Sequence, residues 1–150
     1  MNENFEKIIE NCAVNRRAKS DEYYVVRLCN EALGSKASQQ HTFPFLTGDT
    51  GRKLNVDAYY PEHNLVIEYH ERQHTEPVKF FDNKETPSGV SRGEQRRIYD
   101  ERRRKVLPEH GITLIEIDYT AFGTSKKLKR DHDRDLMVVK SILNSHGVKC

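Results

Sequence analysis

Apolar positions recur along this chain with two periods, about 3.6 residues in some stretches and 2 in others, and the switches between them lay out the elements. Phe5, Ile8, Ile9 and Cys12 make a helical stripe over 2–14. Ser20 is a natural N-cap for a second helix over 21–33, with Tyr24, Val25, Leu28, Cys29 and Ala32 inward and Gly34 as its stop. Ser35 to Gln40 is polar and predicts a loop; His41 to Leu46 predicts a strand, with Pro44 placing it at a sheet edge or at a bulge. A turn, Thr47-Gly48-Asp49-Thr50-Gly51, leads into two more strand-like runs, Leu54 to Tyr60 and Leu65 to His70. Residues 71–90 carry two prolines and no clear period, with Phe80 and Phe81 as a packing anchor. A helix over 91–107 follows, anchored by Ile98, Tyr99, Val106 and Leu107 and ended by Pro108 and Gly111. Ile112 to Tyr119, ITLIEIDY, is the clearest strand, and 131–145 is a last helix with Leu136, Val139, Ile142 and Leu143 inward. The order is α-α-β-β-β-α-β-α. Its strand–helix–strand segment predicts a parallel crossover, and hence an α/β fold with a mixed central sheet flanked by helices.

The two runs around Pro61-Glu62-His63-Asn64 constrain each other. If those four residues are a hairpin loop, Tyr60 pairs with Leu65, Ala58 with Ile67 and Val56 with Tyr69, which gathers one apolar face. The same register sets Asp57 opposite Glu68 and Asn55 opposite His70 on the other face, and a slip of one residue destroys the apolar face. Like charges directly opposed repel, so such an arrangement invites a cation between them.

Composition adds bounds. A chain of 150 residues predicts one domain spanning 1–150. Charged residues reach 32%, yet the net charge is only +2, so a nucleic-acid surface must come from local clustering. Cys12, Cys29 and Cys150 are scattered without metal-like spacing, which suits incidental thiols in a reducing cytoplasm. No signal peptide or long apolar run points to secretion or to a membrane.

Three constellations carry chemistry. Asp57, Glu68 and His70 form an oxygen-rich set with an imidazole beside it, suited to Mg²⁺ and water activation; a solvated polar face is the plain alternative. Arg92, Arg96, Arg97, Arg102, Arg103, Arg104 and Lys105 stand against Glu94, Asp100 and Glu101. With Lys126, Lys127, Lys129 and Arg130 they could track phosphates; a helix face laced with ion pairs is the alternative. His70-Glu71-Arg72-Gln73-His74 also matches H-E-x-x-H, which on a helix holds Zn²⁺ for peptide hydrolysis, but here it follows strand-forming residues and precedes Pro77. Glu22, in the first turn of a helix, is by itself a carboxylate favoured by the helix dipole.

The stretch VDAYYPEHNLVIEYHERQH, with the later YDERRRKVLPEHGITLIEIDY, resembles the core of the PD-(D/E)xK restriction-endonuclease-like nucleases. More specifically, it is similar to the very-short-patch-repair endonuclease branch and its phage homing-endonuclease relatives. The likeness runs over about residues 20–120 and rests on the order and spacing of short motifs. It implies a Mg²⁺-dependent DNA endonuclease, with Mn²⁺ as a substitute ion. Asp57 would be the main metal ligand and Glu68 a second ligand or its orienter. His70 stands where the family's lysine would be, His74 would serve as base or phosphate contact, and Glu22 as an assisting acid. DNA is the implied partner, and both a nicking monomer and a homodimer cutting two strands are compatible with it. The competing readings are the zinc metallopeptidase and a non-catalytic nucleic-acid-binding module of the same fold.

Overall fold

A computed structural model describes residues 20–71, 91–123 and 128–149. The first predicted helix, the Phe80-Phe81 pair, His74, Lys126, Lys127, Cys12 and Cys150 lie outside the described residues. The described part contains α1 (Asp21–Leu33), β1 (Ser38–Thr47), β2 (Lys53–Tyr60), β3 (Leu65–His70), α2 (Arg92–Glu109), β4 (Thr113–Asp118) and α3 (His132–Ser145). The strands form one sheet in the order β1-β2-β3-β4. Its first two pairings are antiparallel, and β3 and β4 run parallel across the α2 crossover. The molecule is therefore a mixed α/β protein with a four-stranded mixed sheet flanked by helices.

Local chemistry sets the boundaries. The Ser20 hydroxyl accepts from the Tyr23 amide at 3.1 Å, and Gly34 closes α1 with φ 65°, its N–H bonded to Asn30. The hairpin loop is a 3₁₀ turn over Pro61–His63 closed by Asn64 at φ 46°. It produces the expected register from Tyr60 with Leu65 to Ala58 with Ile67; the expected pairing of Val56 with Tyr69 does not form, and Val56 packs in a different apolar cluster from Ala58 and Tyr69. Two boundaries differ from expectation. Residues 38–40 belong to β1 rather than to a loop, because Ser38 and Gln39 pair with Tyr59 and Ala58 of β2; Gln40 follows with a left-handed φ of 49° and the register continues at His41. Pro44 sits where β1, an edge strand, loses regular register between Thr42 and Thr47. Helix α2 runs through Pro108 to Glu109. The proline lies in the last turn, and amides of His110, Gly111 and Ile112 recover the terminal carbonyls.

Two apolar clusters clasp the sheet. Helices α1 and α3 bring Val25, Leu28, Cys29, Val139 and Leu143 against Ile67, Ile115 and Ile117. On the other side Leu107 of α2 joins Phe43, Leu46, Leu54 and Val66. Leu107 is the one fully enclosed side chain of α2; Tyr99 and Val106 pack beside it and Ile98 is only half-buried. Burial pushes the Cys29 thiol up to about 12, so it behaves as a small hydrophobe. No described helix is long and apolar enough to cross a membrane.

Candidate functional site

Strand β3 is buried at all six positions although its sequence alternates apolar and polar. Helix α2 is the reason: it crosses the polar face, so Glu68 and His70 are only 6% and 9% exposed. That removes the solvated-face alternative. Beyond Ala58 and Ile67 the regular β2–β3 pairing stops, and side chains take over. The Asp57 amide donates to Glu68 Oε2 at 2.9 Å, and the Tyr69 amide donates to Asp57 Oδ2 at 2.8 Å. Each carboxylate is thus pinned by the neighbouring strand. The two acid side chains also meet each other. Burial and the Asp57 charge push the Glu68 carboxyl well above the usual range. Two carboxyl groups in such contact need a proton or a cation between them.

Arg103 descends from α2 onto this pair. Its Nε lies 3.1 Å from Glu68 Oε1, its Nη1 reaches Asp100 at 3.1 Å, and Nε and Nη2 donate to the Asn55 carbonyl. The result is a cleft of about 140 Å³ lined by Gln40, Asn55, Asp57, Glu68, His70 and Arg103, with Tyr69 and Asp100 completing the wall. His70 Nε2 is 2.8 Å from Glu116 on β4, and Arg104 grips the same carboxylate. These contacts hold the Glu116 carboxyl down at about 2; the hydrogen bond to Glu116 raises the His70 imidazole above its ordinary value. Glu22 stands one layer back: Gln40 Nε2 donates to Glu22 at 2.9 Å, and Gln40 Oε1 accepts from Asn55.

Asp57, Glu68 and His70 therefore come together, with Glu22 linked through Gln40, while His74 lies outside the described residues. His70 ends a strand, whereas the H-E-x-x-H arrangement sets its first histidine on a helix. Gln40, Asp100 and Glu116 were not anticipated. Glu116 had a signal, since the parallel register places it beside Glu68. The basic helix divides. Arg103 faces the cleft. Arg97 is exposed and bridges Glu94 and Glu101, Arg96 is half-buried, and Arg92 is exposed.

Among the described residues no group of three or more His, Cys, Asp and Glu is placed to hold a metal ion. The donor set is two carboxylates. That suits Mg²⁺, which keeps several waters and takes one or two protein carboxylates, and it does not suit zinc, which wants three or four protein ligands.

No family model matches the chain, and no solved structure matches it. It is similar to viral proteins, each matching about half of this chain. Uncharacterized protein 033L of Invertebrate iridescent virus 3 is 38% identical over 72 residues, covering 47% of this chain and 34% of that protein. Uncharacterized protein 307L of Invertebrate iridescent virus 6 is 35% identical over 51% of this chain and 37% of its own. Uncharacterized protein 094L of Frog virus 3 is 38% identical over 48% and 44% respectively. The chain thus spans less than half the length of these relatives.

Proposed function

We propose that this protein is a Mg²⁺-dependent DNA endonuclease with a restriction-endonuclease-like core. One observation carries the reading: two carboxylates from neighbouring strands are held in contact inside a cleft, at the cost of raising the Glu68 pKa. Two carboxyl groups so held need a proton or a cation between them, a need that Arg103 beside Glu68 answers in part, and perturbed carboxyls in a cleft are candidates for function. A divalent ion supplies Lewis acidity toward a phosphodiester. Asp57 and Glu68 are the residues that would hold it. His70, oriented by Glu116, takes the proton of the attacking water. Arg103 fixes the Glu68 carboxylate from α2. Exposed ion pairs such as those of Arg97 are worth little and exchange readily for DNA phosphates.

The test is incubation of supercoiled plasmid with Mg²⁺, Mn²⁺ or chelator. The reading expects nicked or linear product with either ion, none with chelator, and none from Asp57→Asn. Cleavage by Asp57→Asn at the wild-type rate would overturn it. Salt-sensitive binding without cleavage would favour the non-catalytic module.

A further inference from the structure

A second cleft lies on the opposite side of the sheet, between α1 and α3. Its volume is about 390 Å³ and its walls are Tyr23, Tyr24, Arg27, Glu31, Arg130 and His132, with Leu28 at the base. That size falls in the range of about 300–1,000 Å³ typical of small-ligand sites. Two arginine–tyrosine stacks build it. The Arg27 guanidinium sits over the Tyr23 ring at 5.9 Å, and that of Arg130 over the Tyr24 ring at 4.8 Å. Tyr24 is further fixed by a 2.6 Å hydrogen bond from its hydroxyl to the fully buried Asp135, so its ring is rigidly placed. Arg130 is steadied by Asp21 at 3.2 Å, and His132 by Glu31 at 2.7 Å. Arg27 is exposed on α1 and faces no acid at ion-pair distance among the described residues. Guanidinium planes laid over aromatic rings make cationic stacking platforms, which match an unpaired base next to a phosphate.

We propose that this cleft binds one nucleotide unit of single-stranded nucleic acid, the base stacked on the arginine–tyrosine pairs and the phosphate held by their guanidinium groups. The binding needs no divalent ion and does not depend on the nuclease reading. Tyr69 joins the two regions. Its amide serves the carboxylate cleft, while its ring packs in the apolar cluster with residues of α1 and α3.

The experiment is fluorescence anisotropy of labelled oligothymidylate with the full chain in chelator. Wild type is compared with Arg27→Gln and Tyr23→Ala, and thymidine monophosphate and inorganic phosphate serve as competitors. Arg27 is exposed and Tyr23 is partly exposed, so neither substitution touches the core. Each is expected to weaken binding about ten-fold, as loss of one stack or one phosphate contact does. Competition by thymidine monophosphate identifies a site that takes a free nucleotide as well as a strand; competition by unlabelled oligomer alone identifies a strand-only site, and either supports the proposal. Equal competition by inorganic phosphate, unchanged binding by both cleft variants, or no binding in chelator would overturn it. A nuclease that fails this test remains a nuclease, and a chain that passes it without cutting DNA still has the site.

Discussion

Asp57→Asn should make this protein more stable, and more so as the pH rises. The asparagine Oδ1 can accept from the Tyr69 amide, as Asp57 Oδ2 does at 2.8 Å. Its amide nitrogen then faces Glu68 as a donor in place of a second anion. Two unit charges about 4 Å apart repel by ~4 kcal/mol at an effective dielectric near 20. Arg103, 3.1 Å from Glu68, offsets part of this, and uptake of a proton by Glu68 relieves more. A gain of ~1–2 kcal/mol at pH 8 is what remains, or roughly 3–6 °C in Tm for a chain of this size. The sign follows from linkage. The folded-state pKa of Glu68 is raised, so its contribution is fully present below the ordinary value near about 4.3 and is lost as pH rises through the raised value. The variant removes most of that loss, so its advantage should be small at pH 5 and largest at pH 8. Thermal melts at both pH values, with and without Mg²⁺, measure it. Mg²⁺ at ten times its Kd should add ~1.4 kcal/mol to the wild type and nothing to the variant. A variant advantage that does not change with pH, or an equal Mg²⁺ shift in both proteins, would refute the reasoning.

Three other substitutions probe the frame around that pair. Glu116→Gln removes the acceptor that raises the His70 pKa. The His70 contribution is present below about 6.5 and lost as pH rises through its raised value, and that of Glu116 is lost as pH falls toward its own. The variant should therefore cost about 1 kcal/mol near pH 6, discounted for solvent, and less at pH 9, read from urea midpoints. If His70 is the base, the cleavage rate of wild type rises with pH through that raised value, and Glu116→Gln moves the rise to lower pH. Leu107→Ala empties the buried anchor of α2 and should cost about 3 kcal/mol in urea unfolding. Arg103→Met leaves Glu68 with no guanidinium beside it. A loss of about 2–4 kcal/mol is expected, greater at pH 8 than at pH 5 in thermal melts.

Much of this was legible in the residues. Period and capping signals located α1, and the hairpin register followed from asking which pairing keeps Ala58, Ile67, Tyr60 and Leu65 on one face. The same reasoning brought Asp57 to Glu68. What it could not supply was the roof. Helix α2 has one enclosed apolar side chain, so its pattern gives no strong sign of which sheet face it covers. Its arginines accordingly read as a phosphate-tracking surface or as a face laced with ion pairs, whereas Arg103 turns inward to the acids and Arg104 to Glu116. Glu116 reaches His70 through a contact 46 residues apart, while Asp100 meets Arg103 as an i,i+3 pair whose place at the cleft depends on which way α2 faces. Gln40 reaches Glu22 from a strand residue with positive φ, a conformation unusual for glutamine.

The carboxylates also have a structural reason to stay where they are, and it separates two variants of one residue. Where the β2–β3 ladder ends, the amides of Asp57 and Tyr69 lose backbone acceptors, and the side chains of Glu68 and Asp57 replace them. Turning either acid away would orphan a part-buried N–H, at a cost of about 1–3 kcal/mol. The repulsion of the pair is therefore balanced against backbone satisfaction. Asp57→Ala should lift the repulsion but strand the Tyr69 amide, while Asp57→Asn lifts it and keeps the bond. Asparagine should then be more stable than alanine at both pH 5 and pH 8, with amide hydrogen exchange at Tyr69 accelerated only in the alanine variant. Equal exchange in the two variants would mean that the side-chain bonds do not hold the strands, and that the acids are pinned by something else.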